Sequence, residues 1–123
     1  MFEKDLAIEV LQQIHQATLT ILERFTPVNS VNDFTDTPAG MEKLDSICML
    51  LIAVGENLKN IDKITSSNLL PKYPQVDWKK AKGLRDIISH HYFDVDADAI
   101  FHICNTYINP IQQTIRQIID DLS

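Results

Sequence analysis

Residues 37–61 read TPAGMEKLDSICMLLIAVGENLKNI, and their pattern decides the fold class. Thr37-Pro38 is an N-cap followed by proline at the first helical position, where its missing N–H costs nothing. Leu44, Ile47, Leu51, Val54, Leu58 and Ile61 then recur at spacings of three and four, the signature of one helix face. Ile47 to Val54 is an apolar run of eight, so this helix is apolar over most of its circumference and is expected to lie most deeply.

The flanks carry the same period. Upstream, Leu6, Val10, Ile14, Ala17, Ile21 and Phe25 share one face of a helix of about six turns. Thr26-Pro27 ends it, since the residue before proline avoids the α region, and residues 27–37 are polar or turn-like. Downstream, residues 62–77 read as a connector in which Thr65 to Leu70 make one short helical turn, stopped by Pro71. Asp77 is the N-cap of a third helix bearing Trp78, Ala81, Leu84, Ile87 and Ile88 and ending near His90 to Phe93. Asp96 caps a fourth, with Ile100, Ile103, Tyr107, Ile111, Ile115, Ile118 and Leu122 as its stripe. Pro110 lies inside that stripe and is expected to kink it near Thr106. No stretch alternates cleanly enough to demand a strand. The expectation is an all-α antiparallel bundle of four long helices plus a short connecting helix, one domain over residues 1–123.

Composition narrows the class. A chain of 123 residues, 45% hydrophobic with three glycines and five prolines, can bury one sizeable core and is not disordered in character. No apolar run approaches the roughly 18–20 residues of a membrane span. Met1-Phe-Glu-Lys-Asp5 lacks the pattern of a secretory signal. Cys48 and Cys104 sit in apolar helical patterns and read as buried thiols of a cytoplasmic protein, with no Cys-x-x-Cys pair for redox or zinc chemistry.

The net charge of −6 argues, taken whole, against a nucleic-acid binder. Its distribution is uneven. Residues 1–58 hold nine acids and three bases, net −6, and residues 93–123 hold five acids and one base, net −4. Residues 59–92 hold seven bases and three acids, net +4, and include the lysine cluster Lys79, Lys80 and Lys82. A local positive surface on an acidic protein still attracts a phosphate backbone. A solvated lysine-rich helix face is the plainer alternative.

Beside that cluster stands Arg85-Asp-Ile-Ile-Ser-His-His-Tyr92, with an arginine, two histidines and a tyrosine in eight residues. Arg85 and Tyr92 are seven apart and project from nearly the same side of a helix. His90 is five from Arg85, about 140° round a continuous helix, and returns beside Arg85 if the helix ends near His90. The chemistry suits phosphoryl transfer: histidine moves protons near neutrality, and arginine offers fixed donors to a phosphate. Each residue also has a plainer reading. His15 and His102 read as hydrogen-bonded or surface residues, and Tyr73, Tyr107 and Trp78 as packing. Adjacent His90 and His91 diverge on a helix and lack the Glu-x-x-His partner of a bundle di-metal site. Asp94, Asp96 and Asp98 resemble a calcium loop, but Ala99 and Asn105 stand where glycine and the closing acid belong. No metal and no cofactor is expected.

Arg85-x4-His90-x-Tyr92 resembles the R-x4-H-x-Y motif of the HEPN superfamily, and more closely the HepT toxins of MntA–HepT toxin–antitoxin modules. Gly55-Glu56, Tyr73-Pro74, Trp78, Leu84-Arg85-Asp86 and His90-His91-Tyr92-Phe93 with Val95-Asp96 follow in the family's order. The resemblance covers nearly the whole chain, most weakly residues 1–35. It implies an all-α homodimer whose two motifs face each other across a cleft, and metal-independent RNA cleavage. By the same resemblance Arg85 would bind the scissile phosphate and His90 would transfer protons at the ribose 2′-hydroxyl and the leaving oxygen. Asp86 would orient its neighbours, Glu56 would lie near the site, and His91 would assist phosphate binding or be merely exposed. Tyr92 would contribute to the catalytic site and be its point of control, the residue onto which a cognate MntA-type nucleotidyltransferase transfers AMP. RNA contact would be local to Lys79, Lys80 and Lys82. The competing expectation is a non-catalytic RNA-binding or interaction subunit of a nucleotidyltransferase complex.

Overall fold

The computed structural model describes residues 2–89 and 96–123, the side chain of Ser89 excepted. Seven α-helices and one 3₁₀ turn follow in order among them: α1 (Lys4–Phe25), α2 (Asn32–Thr35), α3 (Pro38–Thr65), the turn Leu70–Lys72, α4 (Trp78–Lys82), α5 (Leu84–Ser89), α6 (Ala97–Thr106) and α7 (Ile108–Leu122). No strand occurs among the described residues, and the fold is all-α as expected. No helix among them is long and apolar enough to cross a membrane.

The centre is α3, against which α1, α2, α4 and α5 pack. Leu44, Ile47, Leu51, Val54, Leu58 and Ile61 are all buried, so the stripe read from the sequence is the face that enters the core. Burying each such side chain contributes roughly 1.5–3 kcal/mol before entropy is counted. The apolar run Ile47–Val54 is not buried throughout: Met49 is 73% exposed, because a helix surrounded on three sides still has a fourth.

Three expected caps are present. The Thr37 side chain accepts from Gly40 N at 3.0 Å, Asp77 from Lys80 N at 3.1 Å and Asp96 from Ala99 N at 3.1 Å. Each satisfies a donor that the first helical turn leaves open.

The expected boundaries shift in five places. The polar loop after α1 contains the short helix α2, nucleated by Asp33, whose carboxylate accepts from the backbone of Asn29 and Ser30. Phe34 on that helix is fully buried, and α2 lies so close to α3 that a Cβ on Gly40 would sit 2.1 Å from Asp33 O. Second, α3 runs on to Thr65 and stops at Ser66 and Ser67, both left-handed with φ of 52° and 58°. Third, the connecting turn falls at Leu70–Lys72 and contains Pro71 instead of ending before it, since proline suits the first position of a helical turn. Fourth, the third helix is broken at Gly83 into α4 and α5, and beyond Ser89 its expected end lies outside the described residues. Fifth, the last helix divides at Tyr107, one residue from the expected kink at Thr106. Pro110 has no N–H to offer the Thr106 carbonyl, so the ladder is interrupted there.

One stripe is rotated. The core face of α1 is Ala7, Leu11, Ile14, Thr18, Ile21 and Phe25, while Leu6 is 44% exposed. Helix α1 packs on both α3 and α7, and the sector between them passes through Ala7, Leu11 and Thr18. Thr18 is tolerated because its hydroxyl donates to His15 O at 2.7 Å. Cys48 and Cys104 are buried free thiols, as expected.

Candidate functional site

The site is built where α3 crosses the junction of α4 and α5. A Cβ on Gly55 would lie 3.2 Å from Ala81 O, 3.5 Å from Lys82 O and 3.7 Å from Arg85 N. A side chain here would press on the α4 backbone, so glycine suits the close approach of the three helices. The next residue, Glu56, then faces the start of α5. Arg85 Nη1 donates to Glu56 Oε1 at 3.1 Å. Lys59 Nζ lies 3.8 Å from the same oxygen, one turn further along α3.

The side chains of Arg85 and Glu56 are 56% and 40% exposed, so their pair adds about 0–1 kcal/mol to stability. Its effect is orientation. One guanidinium nitrogen is anchored, and Nη2 and Nε have no protein partner among the described residues. A planar fork so held presents donors to an incoming oxyanion.

The lysines of α4 differ from one another. Lys82 is paired with Asp62 of α3 and is partly buried. Lys80 Nζ donates to the Tyr107 hydroxyl at 3.3 Å and lies 4.7 Å from that ring's centroid. Lys79 is exposed and has no ion-pair partner among the described residues. Asp86 is exposed in the first turn of α5. His90, His91 and Tyr92 lie outside the described residues. The structure therefore brings together Arg85 and Glu56 and sets Lys79 and Lys80 on the preceding helix.

Around this surface the polar groups are structural. Trp78 is buried and its Nε1 donates to Tyr73 O at 2.8 Å. The Tyr73 hydroxyl donates to Asp121 Oδ2 at 2.7 Å, and burial with that hydrogen bond and the Asp121 charge pushes the phenol up to about 12. Burial, with the Asp45 charge behind it, pushes the Cys48 thiol up to about 11. Burial and the neighbouring Cys48 push Cys104 up to about 12. Neither thiol is a nucleophile near neutrality. Among the described residues no three His, Cys, Asp or Glu side chains gather as a metal site would require. His15 is tied to Gln112 at 3.0 Å. Tyr107, read from the sequence as packing, is instead the contact of Lys80, with His102 edge-on to its ring at 5.4 Å between centroids.

A family model described as HepT-like, ribonuclease HepT-like, matches residues 15–118. The chain belongs to the HepT-like ribonuclease family. Among its relatives, a Methanocaldococcus jannaschii protein named "Putative RNase" is 38% identical over 73 residues, 58% of this chain and 56% of that one. A second of the same name from that organism is 31% identical over 77 residues, 63% of each chain. A third so named, from Caldanaerobacter subterraneus, is 27% identical over 109 residues, 89% of this chain and 90% of that one. The chain thus spans about three-fifths of the length of the two archaeal relatives. No solved structure matches it significantly.

Proposed function

We propose that the chain is an endoribonuclease, the toxin of a toxin–antitoxin module, acting as a homodimer without a metal ion and silenced by AMPylation of Tyr92. Family membership supports the ribonuclease reading, as do the names of the relatives. The observation that carries it to a site is the exposed Arg85 guanidinium, anchored through one nitrogen to Glu56 and, among the described residues, open on its other donors. An oxyanion-binding arginine on an acidic protein, preceded by exposed lysines, suits a phosphodiester better than it suits packing.

The reaction then runs as an internal transfer. His90 takes the proton of a ribose 2′-hydroxyl, and the 2′-oxygen attacks the adjacent phosphorus. The bond to the 5′-oxygen breaks and that oxygen receives a proton. The products are a 2′,3′-cyclic phosphate and a 5′-hydroxyl end. Arg85 donates to the non-bridging oxygens, whose charge grows in the transition state. Asp86 orients its neighbours, His91 follows the proton-transfer histidine in sequence, and Lys79 and Lys80 line the approach of the strand, while Lys82 is held by Asp62. Two copies complete one cleft.

Silencing places the Tyr92 oxygen on the α-phosphorus of ATP, with pyrophosphate leaving and the phenolic proton released. The added nucleotide brings phosphate charge and bulk to a cleft that must take phosphate. Expression of the chain alone arrests growth, and co-expression with its cognate nucleotidyltransferase relieves the arrest and adds one AMP mass, lost in Tyr92→Phe. Growth arrest that persists in Arg85→Ala and His90→Ala would count against the reading.

A further inference from the structure

A cavity of about 370 Å³ opens between α4–α5 and the junction of α6 with α7. Ala81 and Leu84 form one wall, and Ile103, Tyr107 and Ile111 the other. Lys80, Gln75 and Thr106 bring polar groups to the same lining. Its volume falls at the small end of ligand sites, which span roughly 300–1,000 Å³. That suits one flat heteroaromatic ring system with its sugar, and is short of the trough a partner helix lays its face into.

The cavity and the Arg85–Glu56 pair share α5 but not a face of it. Leu84 and Ile87 turn toward the cavity, while Arg85 turns toward α3. Ile87, expected in the core, is 43% exposed because it borders this opening. At the rim, Lys80 is held by Tyr107 through a hydrogen bond and the ring face. The carboxylate of Asp77, also on the lining, is engaged as the N-cap of α4. One wall belongs to residues 59–92, net +4, and the other to residues 93–123, net −4; the charged residues on the lining itself are Lys80 and Asp77.

We infer that this cavity receives one unstacked nucleobase of single-stranded RNA, with Lys80 on the neighbouring phosphate. The inference deepens the ribonuclease reading and rests on it. An apolar slot with one aromatic wall and a cation at its mouth is how proteins hold bases that a strand has splayed out. With the Asp77 carboxylate turned to its cap, Lys80 is the cation at the mouth, and it suits a phosphate next to the bound base. The pocket lies away from the cleaving arginine, so it fixes where along a strand the phosphate at Arg85 falls.

The test uses the full chain with short 2′-O-methyl RNA, which 2′-hydroxyl attack cannot cut, carrying 2-aminopurine at successive positions. Emission changes at one position, and an abasic site there weakens binding. Tyr107→Ala, which removes the aromatic wall, and Thr106→Trp, which fills the mouth, each weaken binding about tenfold. Tyr107→Phe retains it. With cleavable RNA, the first two variants shift the preferred cut positions. Unchanged affinity and cut positions in both, alongside Arg85-dependent cleavage by the wild type, overturn the pocket and leave the ribonuclease reading standing. So does loss, in Thr106→Trp, of a protein complex with RNA binding intact. A wild type that neither binds nor cuts RNA removes the ribonuclease reading, and the pocket with it.

Discussion

Glu56 and Arg85, 29 residues apart, meet at 3.1 Å because Gly55 lets α3 touch the α4–α5 junction. The glycine and the glutamate thus act together: one sets the distance between helices, and the other fixes the guanidinium at that distance. Glu56→Gln keeps the shape and removes the charge. It lowers RNA cleavage about tenfold, the cost of a less well held arginine. The melting temperature moves by no more than about 4 °C, since an exposed pair adds about 0–1 kcal/mol. Cleavage rates and thermal unfolding measured on the same preparation check both halves.

Gly55→Ala sets two effects against each other. Alanine gains about 1 kcal/mol of helix propensity, but its Cβ presses on Ala81 O at 3.2 Å, a backbone atom that cannot rotate away. Helix α4 must move, and overpacking of this kind costs about 1–3 kcal/mol. The net expectation is a loss of about 1 kcal/mol and a larger relative loss of cleavage, because α5, which follows the displaced α4 directly after Gly83, carries Arg85. Gly40→Ala is more severe, its Cβ falling 2.1 Å from Asp33 O. It lowers the melting temperature by about 10 °C. The order of the two melting temperatures is the check.

Much of this was legible in the sequence, for reasons that differ by element. The caps at Thr37, Asp77 and Asp96 are local chemistry, readable wherever an oxygen-bearing side chain precedes a helical period. The apolar stripe of α3 was equally plain because that helix is packed on most sides. Helix α1 misled at Leu6, because choosing between two adjacent apolar sectors requires knowing that both α3 and α7 lie against it. Gly83 gave little warning: a single glycine is tolerated in many helices, and here it divides one. At the site, Arg85 and Glu56 were both singled out, but their bond spans two helices and no spacing rule predicts it. Lys82 could not be told from Lys79, since Asp62 reaches it from α3.

The alkaline limit of stability follows from three raised values. Cys48 and Cys104 move from 9.0 to about 11 and 12, and Tyr73 from 10.0 to about 12. Between the unfolded and folded values the unfolded chain has lost protons that the folded one keeps, so stability falls as pH rises. The contribution is complete below pH 9 and declines between pH 9 and 12. Denaturant midpoints across that range fall, and the fall is shallower in Tyr73→Phe. At pH 8 both thiols resist alkylation until the chain unfolds.

The central claim is that Arg85 serves an RNA-cleaving site that needs no metal. End-labelled RNA incubated with purified protein in excess EDTA tests it most directly, by the chemistry of the ends produced. The account predicts 2′,3′-cyclic phosphate and 5′-hydroxyl ends from the wild type. Arg85→Ala, folded and of unchanged mass in solution, is slower by roughly 100-fold or more. Cleavage by Arg85→Ala at the wild-type rate, or 5′-phosphate ends that vanish with EDTA, would contradict it.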